Sequence, residues 1–203
     1  MKIIPAALEH TLPAAELIVE TMDSFGDYLL GLGSRARHLK AVQHFFTLPG
    51  NRFSFQHTHV AVENGTVAGA LLTFPAYELD RVNRVLSGHL FKEYNLGEVL
   101  KLAWRSLPSL SGPEVFPGEF YVAHIAVSSA FRRQGIARAL LDFTDQMARD
   151  RGFKTVSLNV DYENEPAKTL YLSHGYRVGM TYATPNMFAS YGTSGYDHMV
   201  KDL

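Results

Sequence analysis

A loop between a predicted strand and a predicted helix carries the residues most suited to chemistry. Residues 127–137 read VSSAFRRQGIA and lead from an apolar run into a helical pattern. Backbone N–H groups at a helix N-terminus have no partner within the helix and lie at the positive end of its dipole, so this loop can bind a phosphate. Gly135 and Ala137 would let the phosphate approach the backbone closely. Taken alone, the pattern Arg-x-x-Gly-x-Ala favours an ordinary glycine-containing turn with solvated arginines.

Residues 164–176, which read NEPAKTLYLSHGY, form a second candidate segment. Asn164 is placed to cap a short helix, Pro166 suits its first turn and Gly175 suits its end. Ala167 and Tyr171 share one face of that helix because they are four residues apart. Considered alone, Tyr171 is expected to be a core tyrosine with a paired hydroxyl.

Several kinds of chemistry are excluded or disfavoured by residue types. The chain has no cysteine, which excludes disulfides, thiolate metal sites and acyl transfer through a cysteine thioester. The histidines show no His-x-x-x-His spacing on a predicted helix. His57 and His59 are expected on one face of a strand, but no paired carboxylate motif accompanies them. We predict no metal site.

The N-terminal half of the sequence predicts two helices and a hairpin. Apolar residues recur at spacings of three and four from Ala14 to Phe25, which predicts an amphipathic helix, and a second helix is predicted over residues 34–47. Residues 57–63 and 66–74 flank Asn64-Gly65, a pair that suits the type I′ turn of an antiparallel hairpin.

The C-terminal half predicts a parallel βαβ unit. A strand over residues 120–127, a helix over 136–149 and a strand over 156–160 occur in the order typical of that unit. Two closing strands are predicted over residues 176–182 and 196–202.

Two stretches have weaker patterns. The stretch Pro75–Gly118 is predicted to contain a helix over residues 96–105 and a Pro/Gly/Ser-rich exit over residues 107–118. Residues 182–196 are rich in Tyr, Gly and Ser, and we expect them to form a loop near a substrate pocket.

Length and composition indicate one globular domain over residues 1–203. The net charge of −1 argues against a nucleic-acid partner, because such proteins neutralise phosphates with an excess of basic residues. No apolar run reaches the roughly 20 residues that span a bilayer, and the N-terminus lacks the apolar region of a signal peptide. We therefore expect no membrane partner and a cytoplasmic location. Oligomeric state is not readable, which leaves a homodimer open.

The two motif segments resemble the acyl-CoA-binding signatures of the GNAT superfamily of N-acyltransferases. Residues 127–137, with the lead-in Ile125-Ala126-Val127, resemble its phosphate loop, and residues 164–176 resemble its pattern Asn-x-x-Ala-x-x-Leu-Tyr-x-x-x-Gly-Phe/Tyr. The resemblance covers about Glu119–Tyr176, and Pro75–Gly118 is longer than the usual connection. It implies an α/β fold with a mixed, mostly antiparallel sheet, helices on both faces and a central splayed pair of parallel strands.

The resemblance also implies how coenzyme A binds. Backbone groups of Ile125 and Val127 should pair with the pantetheine arm, and the loop Arg132–Arg138 should surround the pyrophosphate. Asn164 should bind the pantetheine chain, cap its helix, or do both. The implied cofactor-binding residues are Ile125, Ala126, Val127, Arg132, Arg133, Gln134, Gly135, Ile136, Ala137, Arg138, Asn164, Ala167 and Tyr171.

Two catalytic residues are implied. Tyr171 should donate to the departing thiolate as a general acid. An alkylammonium has a pKa of about 10.4, so the acceptor amine needs help to lose a proton at neutral pH. Glu119 begins the strand that leads to Ile125 and, six residues away, is expected on the same face, although a bulge would break this parity. A solvated strand-end glutamate is the alternative, and His124, expected on the other face from Ile125, is the second candidate base.

The sequence thus predicts direct transfer of an acetyl or small acyl group from acetyl-CoA to a primary amine that it does not identify. One alternative is a non-catalytic acyl-CoA-binding sensor or interaction domain, which the presence of both Tyr171 and Glu119 disfavours. Another is an enzyme that binds a nucleotide phosphate at the same helix. The absence of Gly-x-x-x-x-Gly-Lys-Ser/Thr and Gly-x-Gly-x-x-Gly sequences disfavours it.

Overall fold

A mixed sheet with strand order β1-β2-β3-β4-β5-β7-β6 forms the centre of the molecule. The computed structural model describes residues 1–106, 112–183 and 194–203. All neighbouring strands are antiparallel except β4 and β5, which are parallel. The strands are β1 Lys2–Pro5, β2 Thr58–Glu63, β3 Thr66–Pro75, β4 Glu119–Val127, β5 Thr155–Asp161, β6 Arg177–Ala183 and β7 Gly195–Asp202.

Helices cover both faces of this sheet. They are α1 Thr11–Leu29, α2 Arg35–Thr47, α3 Leu79–Glu93, α4 Leu96–Ser106, α5 Ile136–Asp150 and α6 Glu165–Ser173. The first four pack their apolar sides into one core, which includes Ile18, Phe45 and Tyr121. The last two pack into a second core, on the other face, with Leu140 and Val156. We call these the α1–α4 face and the α5–α6 face. The predicted fold class is confirmed.

Local sequence signals explain several elements. Asn64 and Gly65 have φ values of 50° and 79°, as a type I′ turn requires, and they join β2 to β3. The hydroxyl of Ser34 accepts from the N–H of Arg37 and caps α2. The predicted βαβ unit is β4-α5-β5, and its two strands are parallel neighbours.

The prediction for Pro75–Gly118 is wrong in one respect, because this stretch contains α3 as well as α4. Leu79, Val82, Leu86 and Leu90 recur at helical spacing and face the core, so the sequence does contain the signal for α3. Residues 107–111 of the predicted exit lie outside the described residues.

Other differences lie near the two ends of the chain. Residues 2–5 form β1, which the sequence did not predict, and α1 contains a break at Asp23, where φ is 42° and ψ is −141°. Of the loop predicted over residues 182–196, the first two residues belong to β6 and the last two to β7, and residues 184–193 lie outside the described residues. Within the described ranges, we find no helix long and apolar enough to cross a bilayer.

Candidate active site

The parallel strands β4 and β5 separate halfway along their length. Their pairing runs from Glu119 opposite Thr155 to Val122 opposite Leu158 and ends there. Beyond that point β4 continues to Val127 beside β3, and β5 continues to Asp161 beside β7. The described residues place no strand against the β5 side of β4 over residues 123–127. Backbone polar groups along this edge can therefore pair with an extended ligand, as in β-strand addition.

A bulge in β4 decides which side chains face which side of the sheet. Leu72 pairs with His124 but Thr73 pairs with Val122, which leaves Ala123 as an extra residue. Val122 and Ile125 both join the core on the α5–α6 face. The extra residue therefore places Glu119 on the face opposite to Ile125. The prediction that Glu119 and Ile125 share a face is wrong, and the expected opposition of His124 and Ile125 is confirmed.

The phosphate-type loop has the backbone geometry of an anion site. Gly135 is the N-cap of α5 with φ 80°, and Arg133 has φ 61°. Among the described residues, no backbone acceptor is found for the N–H groups of residues 133–138. Consecutive free N–H groups beside a left-handed residue form a concave anion-binding site. Apart from Gly135 itself and its neighbours in the chain, no described residue has an atom within 4 Å of the position a Gly135 Cβ would take, so these residues leave the space over the loop open.

The side chains of Arg132 and Arg138, at the two ends of the loop, make contacts within the protein. Arg132 donates from Nε to the carbonyl of Val127 at 3.2 Å and forms an ion pair with Glu20 at 3.3 Å. Arg138 donates to Ser173 at 3.2 Å and so connects α5 to the end of α6.

The start of α6 is fixed by Asn164, whose Oδ1 accepts from the N–H of Ala167 at 3.2 Å. This contact shows the capping role, while cofactor binding by Asn164 stays a prediction. Tyr171, one turn beyond Ala167, lies in the core on the α5–α6 face and is 8% exposed. Burial raises the pKa of its phenol to about 12. No hydrogen-bond partner for this hydroxyl is found in the described part of the chain.

On the other face, Glu119 is nearly buried and has both oxygens engaged. Oε1 lies 3.1 Å from Nε2 of His198, and Oε2 accepts from the N–H of Phe116 at 2.9 Å. Burial alone would raise the pKa of Glu119, but these hydrogen bonds lower it below its ordinary value. An ionised carboxylate held in this way can receive a proton from a bound amine only through a water.

The orientation of Asn159 determines which nitrogens of His198 carry a proton in the pair of His198 and Glu119. Its amide nitrogen donates to the carbonyl of Glu114 at 2.9 Å, so its oxygen must accept from Nδ1–H of His198 at 2.9 Å. Nε2 of His198 then faces the carboxylate of Glu119. One proton must lie between these two atoms, because two acceptors cannot bond to each other.

A second polar cluster lies on the same face and was not predicted. Arg52 forms a bidentate pair with Glu114 at 2.5 and 3.2 Å, and the side chain of Glu114 is 30% exposed. Burial would raise the pKa of Glu114, but the charge and hydrogen bonds of Arg52 outweigh it, so the pKa is lowered. The side-chain nitrogen of Asn159 also donates to the hydroxyl of Tyr121 at 3.3 Å. Arg52 and Glu114 are 62 residues apart, so no local spacing signals their contact.

Within the described ranges, the histidines and acidic groups form one cluster with the spacing of metal ligands. His57 belongs to a 3₁₀ turn and β2 begins at Thr58, so the expected strand pair of His57 and His59 is not formed. Ligand atoms of Asp142, Asp145 and His174 lie within 4.8 Å of one another. Nζ of Lys201, however, lies 2.5 Å from Oδ2 of Asp145 and already supplies a positive charge to this carboxylate.

Residues 32–176 match the model of the acetyltransferase (GNAT) family. A segment of 54 residues, 27% of this chain, is 46% identical to N-acetyltransferase 8B of Rattus norvegicus and covers 24% of that protein. The match therefore spans about a quarter of that relative's length.

Two solved structures share the fold over nearly their whole length. A crystal structure described as an acetyltransferase has a TM-score of 0.73 and 25% identity, covering 100% of this chain and 99% of that chain. The PaiA N-acetyltransferase of Thermoplasma acidophilum, solved with coenzyme A, has a TM-score of 0.55 and 10% identity, covering 100% and 98%.

The Glu119–His198 pair generates a prediction about stability. Glu119→Gln should lower the free energy of unfolding at pH 7 by about 2–5 kcal/mol, because it leaves the buried His198 without its carboxylate. A carboxylate with a lowered pKa stabilises above its unfolded pKa of about 4.3, and this contribution is lost as pH falls through the folded value. The difference between wild type and variant should therefore shrink at low pH.

Urea denaturation at pH 7 and pH 2.5 measures this difference, because the lower pH lies well below the unfolded pKa of about 4.3. Asp202→Asn is the matched control, because Asp202 forms an exposed pair with Arg177 and its loss should cost under about 1 kcal/mol. An equal effect of Glu119→Gln at both pH values would contradict a charge-based role for the pair.

Proposed function

Because the chain belongs to the acetyltransferase (GNAT) family, we propose that it transfers an acetyl or other small acyl group from acetyl-CoA to a primary amine. The observation that carries the proposal is the separation of β4 from β5 after Val122 and Leu158, beside a helix start whose amides have no acceptor among the described residues. An open strand edge suits an amide-rich arm, and free amides suit a pyrophosphate. Coenzyme A has both groups.

In this proposal the cofactor lies on the α5–α6 face. Ile125, Ala126 and Val127 present the open edge of β4 to the pantetheine arm, and residues 132–138 surround the pyrophosphate. Asn164 and Ala167 line the side formed by α6. The coenzyme A complex of the Thermoplasma neighbour supports this assignment at the level of the fold.

Tyr171 would interact with the departing thiolate through its hydroxyl. Its phenol has a pKa of about 12, well above the roughly 8.5 of a thiol, so full proton transfer to the thiolate is uphill. Donation of a hydrogen bond is the role that this environment favours. A hydroxyl without a partner among the described residues is free to make that bond.

The amine would attack directly, from the α1–α4 face, without an acyl-enzyme intermediate. Backbone N–H groups of β4 would polarise the thioester carbonyl. Glu119 lies on the same face as the amine and stays the proposed final proton acceptor. Because both of its oxygens are engaged and both ring nitrogens of His198 are occupied, a proton would reach it through a water.

The first prediction from this proposal concerns the loop. Gly135→Asp places a carboxylate beside the pyrophosphate and should weaken acetyl-CoA binding at least about tenfold more than Gly135→Asn does. The two side chains are nearly equal in size, and both Asp and Asn tolerate the left-handed φ of 80° at this position. Isothermal titration calorimetry compares the two variants. Equal affinities would remove the loop from the cofactor site.

The second prediction concerns the hydroxyl of Tyr171. Tyr171→Phe should lower turnover by about 10²–10³ with little change in acetyl-CoA affinity or thermal stability, because it removes no native hydrogen bond. The loss should be smaller with an acyl donor whose thiol is more acidic. Thiol release measures turnover. Tyr176→Phe, in the ring 5.9 Å away, is the matched control and should keep full rate. Wild-type turnover in Tyr171→Phe would make this residue structural.

A further inference from the structure

The ring of His124 has one nitrogen that the described residues leave unused. Thr21 donates its only hydroxyl hydrogen to the carbonyl of Ile18 at 2.7 Å. Its oxygen therefore accepts from Nδ1–H of His124 at 2.6 Å. In the neutral ring Nε2 must then carry the lone pair. Nε2 is buried and has no hydrogen-bond partner in the described part of the chain.

An unpaired buried acceptor is uncommon and calls for an explanation. His124 lies on the separated part of β4, two residues after the last pair with β5, and its ring faces the α1–α4 side. Phe53 stacks on the ring with centroids 5.8 Å apart, which holds its plane. The lone pair is therefore fixed in direction, on the face opposite to Ile125 and the proposed cofactor.

We propose that Nε2 of His124 accepts a hydrogen bond from an N–H of the acceptor amine, which is bound in its neutral form. This inference rests on the proposed acyl transfer. A neutral primary amine has two N–H groups and one lone pair. One N–H donated to Nε2 leaves the lone pair free to form a bond with the thioester carbon.

The surroundings of Nε2 favour the neutral amine over the ammonium ion. The charged and titratable groups that act on this ring are Arg52, Glu114 and His38. Burial and the charge of Arg52 lower the pKa of His124 to about 3, while Glu114 partly offsets them. The same burial and the same cation would disfavour an ammonium at this point. The amine would therefore lose its proton before it reaches Nε2, and Glu119 need not touch it.

The test uses protein labelled with ¹⁵N at histidine and two small amines of similar size. At pH 7, 2,2,2-trifluoroethylamine is largely neutral, whereas ethylamine is an ammonium ion. We expect trifluoroethylamine to shift the Nε2 resonance of His124 saturably and to bind at least tenfold more tightly than ethylamine. His124→Gln identifies the resonance, and His59→Gln, on β2, which β3 separates from β4, is the matched control that should bind normally.

Thr21→Val adds a test of the fixed tautomer. Without the hydroxyl, Nδ1 has no acceptor and part of the molecules should carry the proton on Nε2, so trifluoroethylamine should bind at least about twofold more weakly. The proposal is overturned if Nε2 does not shift, if ethylamine binds as tightly as trifluoroethylamine, or if free wild type carries its proton on Nε2. Calorimetry with acetyl-CoA on the same sample separates the two claims. Failure to bind acetyl-CoA removes the proposed function, whereas binding without an Nε2 shift removes only this inference.

Discussion

The incomplete pairing of β4 with β5 is the constraint on which the rest of the site depends. Each strand is held on its outer side, β4 by β3 and β5 by β7, so the two cannot close the gap without losing those ladders. The inner edge of β4 is left with backbone groups that need a partner. The gap also joins the two faces of the sheet, so that groups on α6 and groups beside α1 can reach one bound molecule.

The bulge at Ala123 divides the chemistry between those faces. Val122 and Ile125 turn to the α5–α6 side, with the loop and Tyr171, whereas Tyr121 and His124 turn to the α1–α4 side. If β4 alternated regularly after Val122, without a bulge, His124 would lie on the α5–α6 side and Ile125 on the α1–α4 side. The proposed division, with cofactor and thiolate on one face and amine on the other, follows from one inserted residue. Such bulges occur often beside active sites for this reason.

The sequence predicted the parts whose signals are local. The loop at residues 127–137 and the cap at Asn164 depend on neighbours within a few positions, and the β4-α5-β5 order depends on periodicity. The face predicted for Glu119 was wrong because the bulge at Ala123 cannot be recognised from the alternation of residues in the sequence. The Arg52–Glu114 pair and the lone pair of His124 could not be predicted, since the first joins residues 62 apart and the second depends on the donor state of Thr21.

The central claim is that acyl-CoA binds along the open edge of β4 and over the start of α5. Amide hydrogen exchange with and without coenzyme A tests it most directly. We expect coenzyme A to slow exchange at residues 123–127 and 133–138, with little change in β1 and β2, which lie away from the gap. Protection spread evenly over the sheet, or confined to another surface, would contradict the account.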